Sequence, residues 1–138
     1  MSEIKTNYDA LISRCDDFER DILSDAMESF VNYVRSVYTM MVKLPIIRLH
    51  YDEDEVKDRI EELDRSRRLA HENAINACRL INRLCDAYDV DRYCPDTDDR
   101  YCVSDFCARI SVEIFKEGTH SESLNSLVEE LCEARKAV

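Results

Sequence analysis

One glycine, Gly118, and two prolines, Pro45 and Pro95, leave this chain of 138 residues almost no means of turning tightly. Sheets and hairpins need turns rich in those residues every ~8–12 positions, so an all-β or α/β fold is all but excluded and an all-α fold is expected. The same scarcity removes the glycine-dependent phosphate loops and the nucleophile elbow, and with them several large enzyme classes. The length suits one domain over 1–138 with a hydrophobic core of its own.

The apolar spacing supplies the elements. Residues 4, 8, 11, 15, 18 and 22, then 23, 27, 30, 34, 37, 41 and 44, are apolar in steps of three and four, which predicts one long helix or two consecutive ones over 5–44. The register slips at Ile22 and Leu23, where Ser24 or Asp25 is expected to cap a new helix with Glu28 completing the box. Pro45 is expected to end the element at Leu44. Asp52 followed by Glu55 reads as a second capping box. It opens a helix whose seam runs 56, 60, 63, 67, 70, 74, 77, 81, 84 and 88. At 1.5 Å per residue that helix is about 55 Å long, against a diameter of about 35–40 Å for a compact domain of this size, so part of it projects or a second subunit covers it. Leu69, Ile75 and Leu80 lie off the seam and mark its C-terminal half as the expected central helix. Residues 89–98 (DVDRYCPDTD) form a loop by composition, and Asp98 or Asp99 caps a third helix over about 99–117 with Val103, Phe106, Cys107, Ile110 and Ile114 inward. Gly118 suits its C-terminal cap, and Thr119 with Glu122 opens a short fourth helix facing inward with Leu124, Leu127, Val128 and Leu131. The expected architecture is a helical bundle of two long antiparallel helices plus two shorter C-terminal ones.

Net charge is −11, unevenly spread: residues 52–64 hold eight acids and two bases, whereas 65–83 hold five arginines and one acid. Acidity on this scale favours solubility and disfavours general nucleic-acid binding, although the arginine segment permits a local anion contact. No run of about 18 uncharged apolar residues and no signal-peptide pattern occur, so a cytoplasmic protein without a membrane span is expected. Cys15, Cys78, Cys85, Cys94, Cys102, Cys107 and Cys132 are then expected to be reduced, most of them buried as small apolar residues.

Candidate binding residues cluster on the second long helix. At 100° per residue His71 and Asn82 fall about 40° and 60° from Arg67, on one shoulder of the seam, and Arg67 occupies the seam itself. An arginine there needs a carboxylate, expected across the seam, because a buried unpaired charge costs several kcal/mol. Arg67, Arg68, His71 and Asn82 are the candidate polar wall of a groove for an anionic ligand or partner segment. The plainer alternative is an arginine reaching past the seam to solvent, an interfacial histidine and an asparagine bonded to backbone. Asp105 and Arg109, four apart, read as a surface pair. Cys94, Cys102 and Cys107, with Cys85 or His120, are enough ligands for zinc but lack a knuckle spacing. No metal and no cofactor are therefore assigned.

Two resemblances extend this reading. The acidic pairs Asp25/Glu28 and Glu61/Asp64 on separate long helices resemble the all-α nucleoside triphosphate pyrophosphatases, which implies a magnesium-dependent pyrophosphohydrolase with these four carboxylates on the metal. The first pair departs from that family in having aspartate where it has glutamate and in lacking the preceding doubled acid. The stretches RRLAHENAINACRLINRL (67–84) and YCVSDFCARISVEIF (101–115) resemble a group of small uncharacterised helical proteins of Gram-positive bacteria and their mobile elements. That resemblance implies an all-α fold and marks His71, Asn73, Asn82 and Arg83 without a role. The leading expectation is a non-enzymatic helical interaction or regulatory protein, homodimeric or bound to a protein partner. Behind it stand the pyrophosphohydrolase and an acidic mimic of nucleic acid.

Overall fold

The computed structural model describes residues 3–115 and is helical nearly throughout, with no strand among the described residues: α1 (Glu3–Arg14), α2 (Asp17–His50), α3 (Glu53–Ala87) and α4 (Arg100–Ile110), the last running into a π-helical turn, Ser111–Phe115. The helix expected from Thr119 lies outside the described residues, as do His120 and Cys132.

The first break comes earlier than the register slip suggests. Asp16 caps α2, its Oδ1 accepting the Glu19 N–H at 2.8 Å while Glu19 Oε1 accepts the Asp16 N–H at 3.0 Å. Two donors that would otherwise be orphaned are thereby satisfied, and Arg20 Nε closes the corner by donating to the Ile12 carbonyl at 3.2 Å. The helix breaks here and restarts in a new register, so Phe18, a seam position in an unbroken helix, is 73 % exposed. Asp25 and Glu28 lie inside α2 and cap nothing. Asp16→Ala is expected to cost about 1 kcal/mol in urea unfolding, with loss of helicity confined to the α1–α2 corner.

Pro45 does not end α2 either. The helix continues through it to His50. Pro45 and Met41 are exposed, so the Met41 carbonyl, denied its usual donor, faces water instead of an apolar interior. A link of only Tyr51 and Asp52 returns the chain into α3, with Asp52 Oδ1 accepting the Glu55 N–H at 3.0 Å and the Arg59 guanidinium 4.0 Å over the Tyr51 ring. This short link makes α2 and α3 an antiparallel hairpin, each helix about 50 Å long. At the far end α3 closes with Asp89 in the left-handed region (φ 56°), a conformation Asp tolerates, and the Val90 N–H bonds the Cys85 carbonyl at 2.9 Å.

The core sits where a third layer covers the hairpin. Asp99 caps α4, and Val103, Phe106, Cys107, Ile110 and Ile114 all point inward as their spacing predicts. Instead of continuing as α-helix to 117, the element widens at Ser111, whose Oγ bonds the Cys107 carbonyl at 2.7 Å. The central helix is the first half of α2: Leu23, Ala26, Met27, Phe30, Val31, Tyr33 and Val34 are all buried. On α3, Leu69 is 60 % exposed and Leu80 is also exposed, because by helical phase both lie more than about 100° from the buried seam of Ala74, Ala77, Ile81 and Cys85. Beyond Ser36, α2 has α3 on one side and, among the described residues, no third layer; Val56, Ile60 and Leu63 on the α3 seam are only half-buried.

Candidate functional site

The expected polar wall divides into two levels. Arg67 is held by Asp64, three residues earlier on its own helix: Nε and Nη2 both donate to Asp64 Oδ1, at 3.2 and 3.0 Å. The carboxylate is thus on the same helix, not across the seam. What faces Arg67 across the seam is Tyr33 of α2, whose phenol is pushed above its ordinary range by burial and held back by the nearby guanidinium. Arg68 is exposed and takes the other Asp64 oxygen at 3.1 Å, so one carboxylate serves both arginines. His71 lies one turn on, its ring 5.2 Å from the Tyr33 ring at 30°, with a buried Nε2 that has no hydrogen-bond partner. Above them starts α4, the Tyr33 hydroxyl donating to the Arg100 carbonyl at 3.4 Å. The Asp99 carboxyl is held below its usual range first by the Cys102 thiol and then by the Tyr101 N–H, with His71 adding a smaller effect.

Asn82 belongs elsewhere. Eleven residues along α3 from His71, it is about 16 Å away by helical rise. There it is buried under the 88–99 loop, its Nδ2 donating to the Cys94 carbonyl at 3.4 Å and its Oδ1 unpartnered. The structure therefore brings Arg67, Arg68 and His71 together with Tyr33, and leaves Asn82 with Cys78 and Cys94. Tyr33 was not legible as a site residue because it reads as one more aromatic of the α2 core. Since Asp64 is partly exposed and such pairs contribute ~0–1 kcal/mol, Arg67→Ala is expected to lower stability by about 1 kcal/mol or less. Arg67→Met, which keeps the stem, is expected to match wild type in the same urea titration.

The thiols divide by burial. Cys94 and Cys107 are buried, and burial pushes both well above the ordinary thiol range, with the neighbouring Cys78 adding to the effect. Cys102 is exposed instead, bonded to Asp99 Oδ2 at 3.2 Å. Among the described residues no three His, Cys, Asp or Glu side chains converge to hold a metal ion. Asp105 and Arg109 form the expected surface pair, at 4.0 Å.

The acidic pairs do not converge within the chain. Asp25 lines a groove of about 310 Å³ between α2 and α3 opposite Asn76 and Ala77. Glu61 lies fifteen residues from Asn76 along α3 and Asp64 twelve, so along the antiparallel hairpin the two pairs are separated by about 14 Å at their nearest members, Glu28 and Asp64, and about 22 Å at their farthest. Two-metal hydrolysis needs its metals about 4 Å apart, so one chain cannot assemble that centre from these four carboxylates. Among the described residues the acids gather at the α1–α2 corner, the hairpin tip and the 86–99 loop.

A family model described as "Protein of unknown function (DUF3232)" matches residues 3–120. No curated protein and no solved structure matches the chain. Among the described residues no helix is long and apolar enough to cross a membrane.

Proposed function

Because the chain belongs to the DUF3232 family, a membership that brings no activity with it, we propose its function from the fold: a non-enzymatic helical interaction or regulatory protein that works as a cytoplasmic homodimer. The observation that carries this reading is the hairpin. Its helices are about 50 Å long, and only their proximal halves have a third layer among the described residues. The distal half is a two-helix arm, and two helices alone cannot bury both faces of α2. Met41, Val42, Ile46 and Leu49 are left exposed there, the last at 80 %. Apolar surface concentrated on one projecting element is a mark of protein association. The paired arginines and His71 sit at the root of this arm and fit a supporting role, binding a carboxylate-bearing segment beside it. Membership among Gram-positive bacteria and their mobile elements is part of the same reading.

Light scattering across 5–200 µM tests the proposal, with affinity capture from extract alongside. The expected result is a species of twice the chain mass. A strict monomer that retains no protein in capture would overturn the reading.

A further inference from the structure

The uncovered surface of the arm is not a separate patch. On α2, Met27, Val31, Val34, Tyr38, Met41, Pro45 and Leu49 follow one another in steps of four and three, so they lie along a single face. Its first three members are buried within the three-layered part of the fold. From Met41 onward the same face has nothing over it among the described residues, with Val42 and Ile46 exposed beside it. It lies about 130° around the helix from the inner seam of Met40, Leu44 and Ile47 by helical phase. A helix face that is a packed interface for half its length and solvent for the rest is missing a helix.

We infer that a second copy supplies it: two arms lie antiparallel, α2 against α2, about a two-fold axis near Val42–Pro45. This rests on the homodimer reading above and specifies its surface. An isologous contact needs a self-complementary face, and reversal about that centre sets Tyr38 against Leu49, and Met41 against Ile46, of the second copy. The charges at the two ends of the arm also match. Its tip carries Glu53, Asp54 and Glu55, all exposed, while residues 29–51 contain no acid at all. Its root carries exposed Arg35 on α2 and exposed Arg100 at the start of α4, with Arg67 and Arg68 of α3 sharing the single Asp64 carboxylate beside them. The antiparallel overlap that matches the apolar residues brings each acidic tip to the other copy's basic root. An anionic membrane surface would also suit apolar residues beside Lys43 and Arg48, but the eight acids of 52–64 stand on the adjoining helix and would be repelled by it.

The test measures dimer dissociation by sedimentation for the full chain and its variants. Met41→Glu with Leu49→Glu is expected to give a monomer whose circular dichroism is unchanged, since neither side chain packs in the core. Arg35→Glu and Glu53→Lys are each expected to raise the dimer Kd about tenfold, and the two together to return it to within about threefold of wild type. That recovery is what a merely unfolded or sticky variant would not show. A dimer that survives Met41→Glu/Leu49→Glu overturns this surface and leaves the homodimer reading standing. A wild-type monomer at 200 µM overturns both. A monomer that instead sediments with vesicles of 7:3 phosphatidylcholine and phosphatidylglycerol, and loses this in the Met41→Glu/Leu49→Glu variant, assigns the face to a membrane surface and overturns the inference.

Discussion

Replacing Phe30 with alanine is expected to lower the free energy of unfolding by about 3–5 kcal/mol, because a fully buried aromatic leaves a cavity that helices cannot collapse to fill. Phe30 has no exposed surface, and its ring meets Phe106 of α4 edge-on, with centroids 5.3 Å apart and planes at 88°. The substitution therefore acts where the third layer is fastened to the hairpin. Urea unfolding followed at 222 nm gives the number directly. A double-mutant cycle, Phe30→Leu with Phe106→Leu, is expected to return a coupling of about 0.5–1.5 kcal/mol for the ring pair itself. A loss below about 1 kcal/mol for Phe30→Ala would mean that α4 does not pack on α2 as described.

A second large effect is expected in alkali. The Cys94 and Cys107 thiols are raised well above the ordinary value of 9.0 by burial. In the unfolded chain they ionise near pH 9, while in the fold they stay protonated. Above that pH the folded state binds more protons than the unfolded one, so stability must fall as pH rises. Their contribution is fully present below pH 9 and is lost progressively from there up to the folded values. Two such groups give a slope of about 3 kcal/mol per pH unit once the unfolded thiols have ionised. Buried Tyr93, also raised by desolvation, steepens the loss above the phenol range. The measurement is a series of urea titrations from pH 7 to 11, with Cys107→Ala as comparison. Because the Cys15, Cys85 and Cys102 thiols are raised in the fold as well, the variant's slope above pH 9 should be shallower than that of wild type by about 1.4 kcal/mol per pH unit, and an unchanged slope would show that this thiol is not shielded.

The all-α architecture and the hairpin were readable in advance because a three-and-four apolar repeat over some thirty residues has few other solutions. Asp52 with Glu55 and Asp99 were readable as caps because each stands beside the residues it serves. The α1–α2 corner was misplaced for a related reason: Asp16/Glu19 and Asp25/Glu28 are the same motif in one dimension. Only the packing of Cys15 and the reach of Arg20 to Ile12 decide between them, and those are tertiary. Pro45 misled because its steric rule is statistical, and an exposed carbonyl one turn earlier lets a long helix absorb it. The site was legible only in part. Helical phase groups Arg67, His71 and Asn82 on one shoulder but carries no axial distance, and Asn82 lies about 16 Å along the helix from His71. Asp64 reads equally well as one of an acidic pair, which hides it as the partner of Arg67.

The uneven layering of α2 has a consequence for motion on slow timescales. Amides near Phe30 and Ile81 are locked inside three layers and should exchange with deuterium only through global unfolding, whereas those beyond Ser36 are held by one neighbouring helix. A single helix thus carries two opening free energies. Fraying should begin at the tip, where the Met41 carbonyl already lacks its donor at Pro45, and travel back along the helix until it meets Tyr33. There the ring is clasped between His71 and the start of α4. In hydrogen-exchange data this would appear as a step in protection between residues 34 and 38. Protection beyond that step should climb with protein concentration, since whatever occupies the bare face must be released before the arm can open.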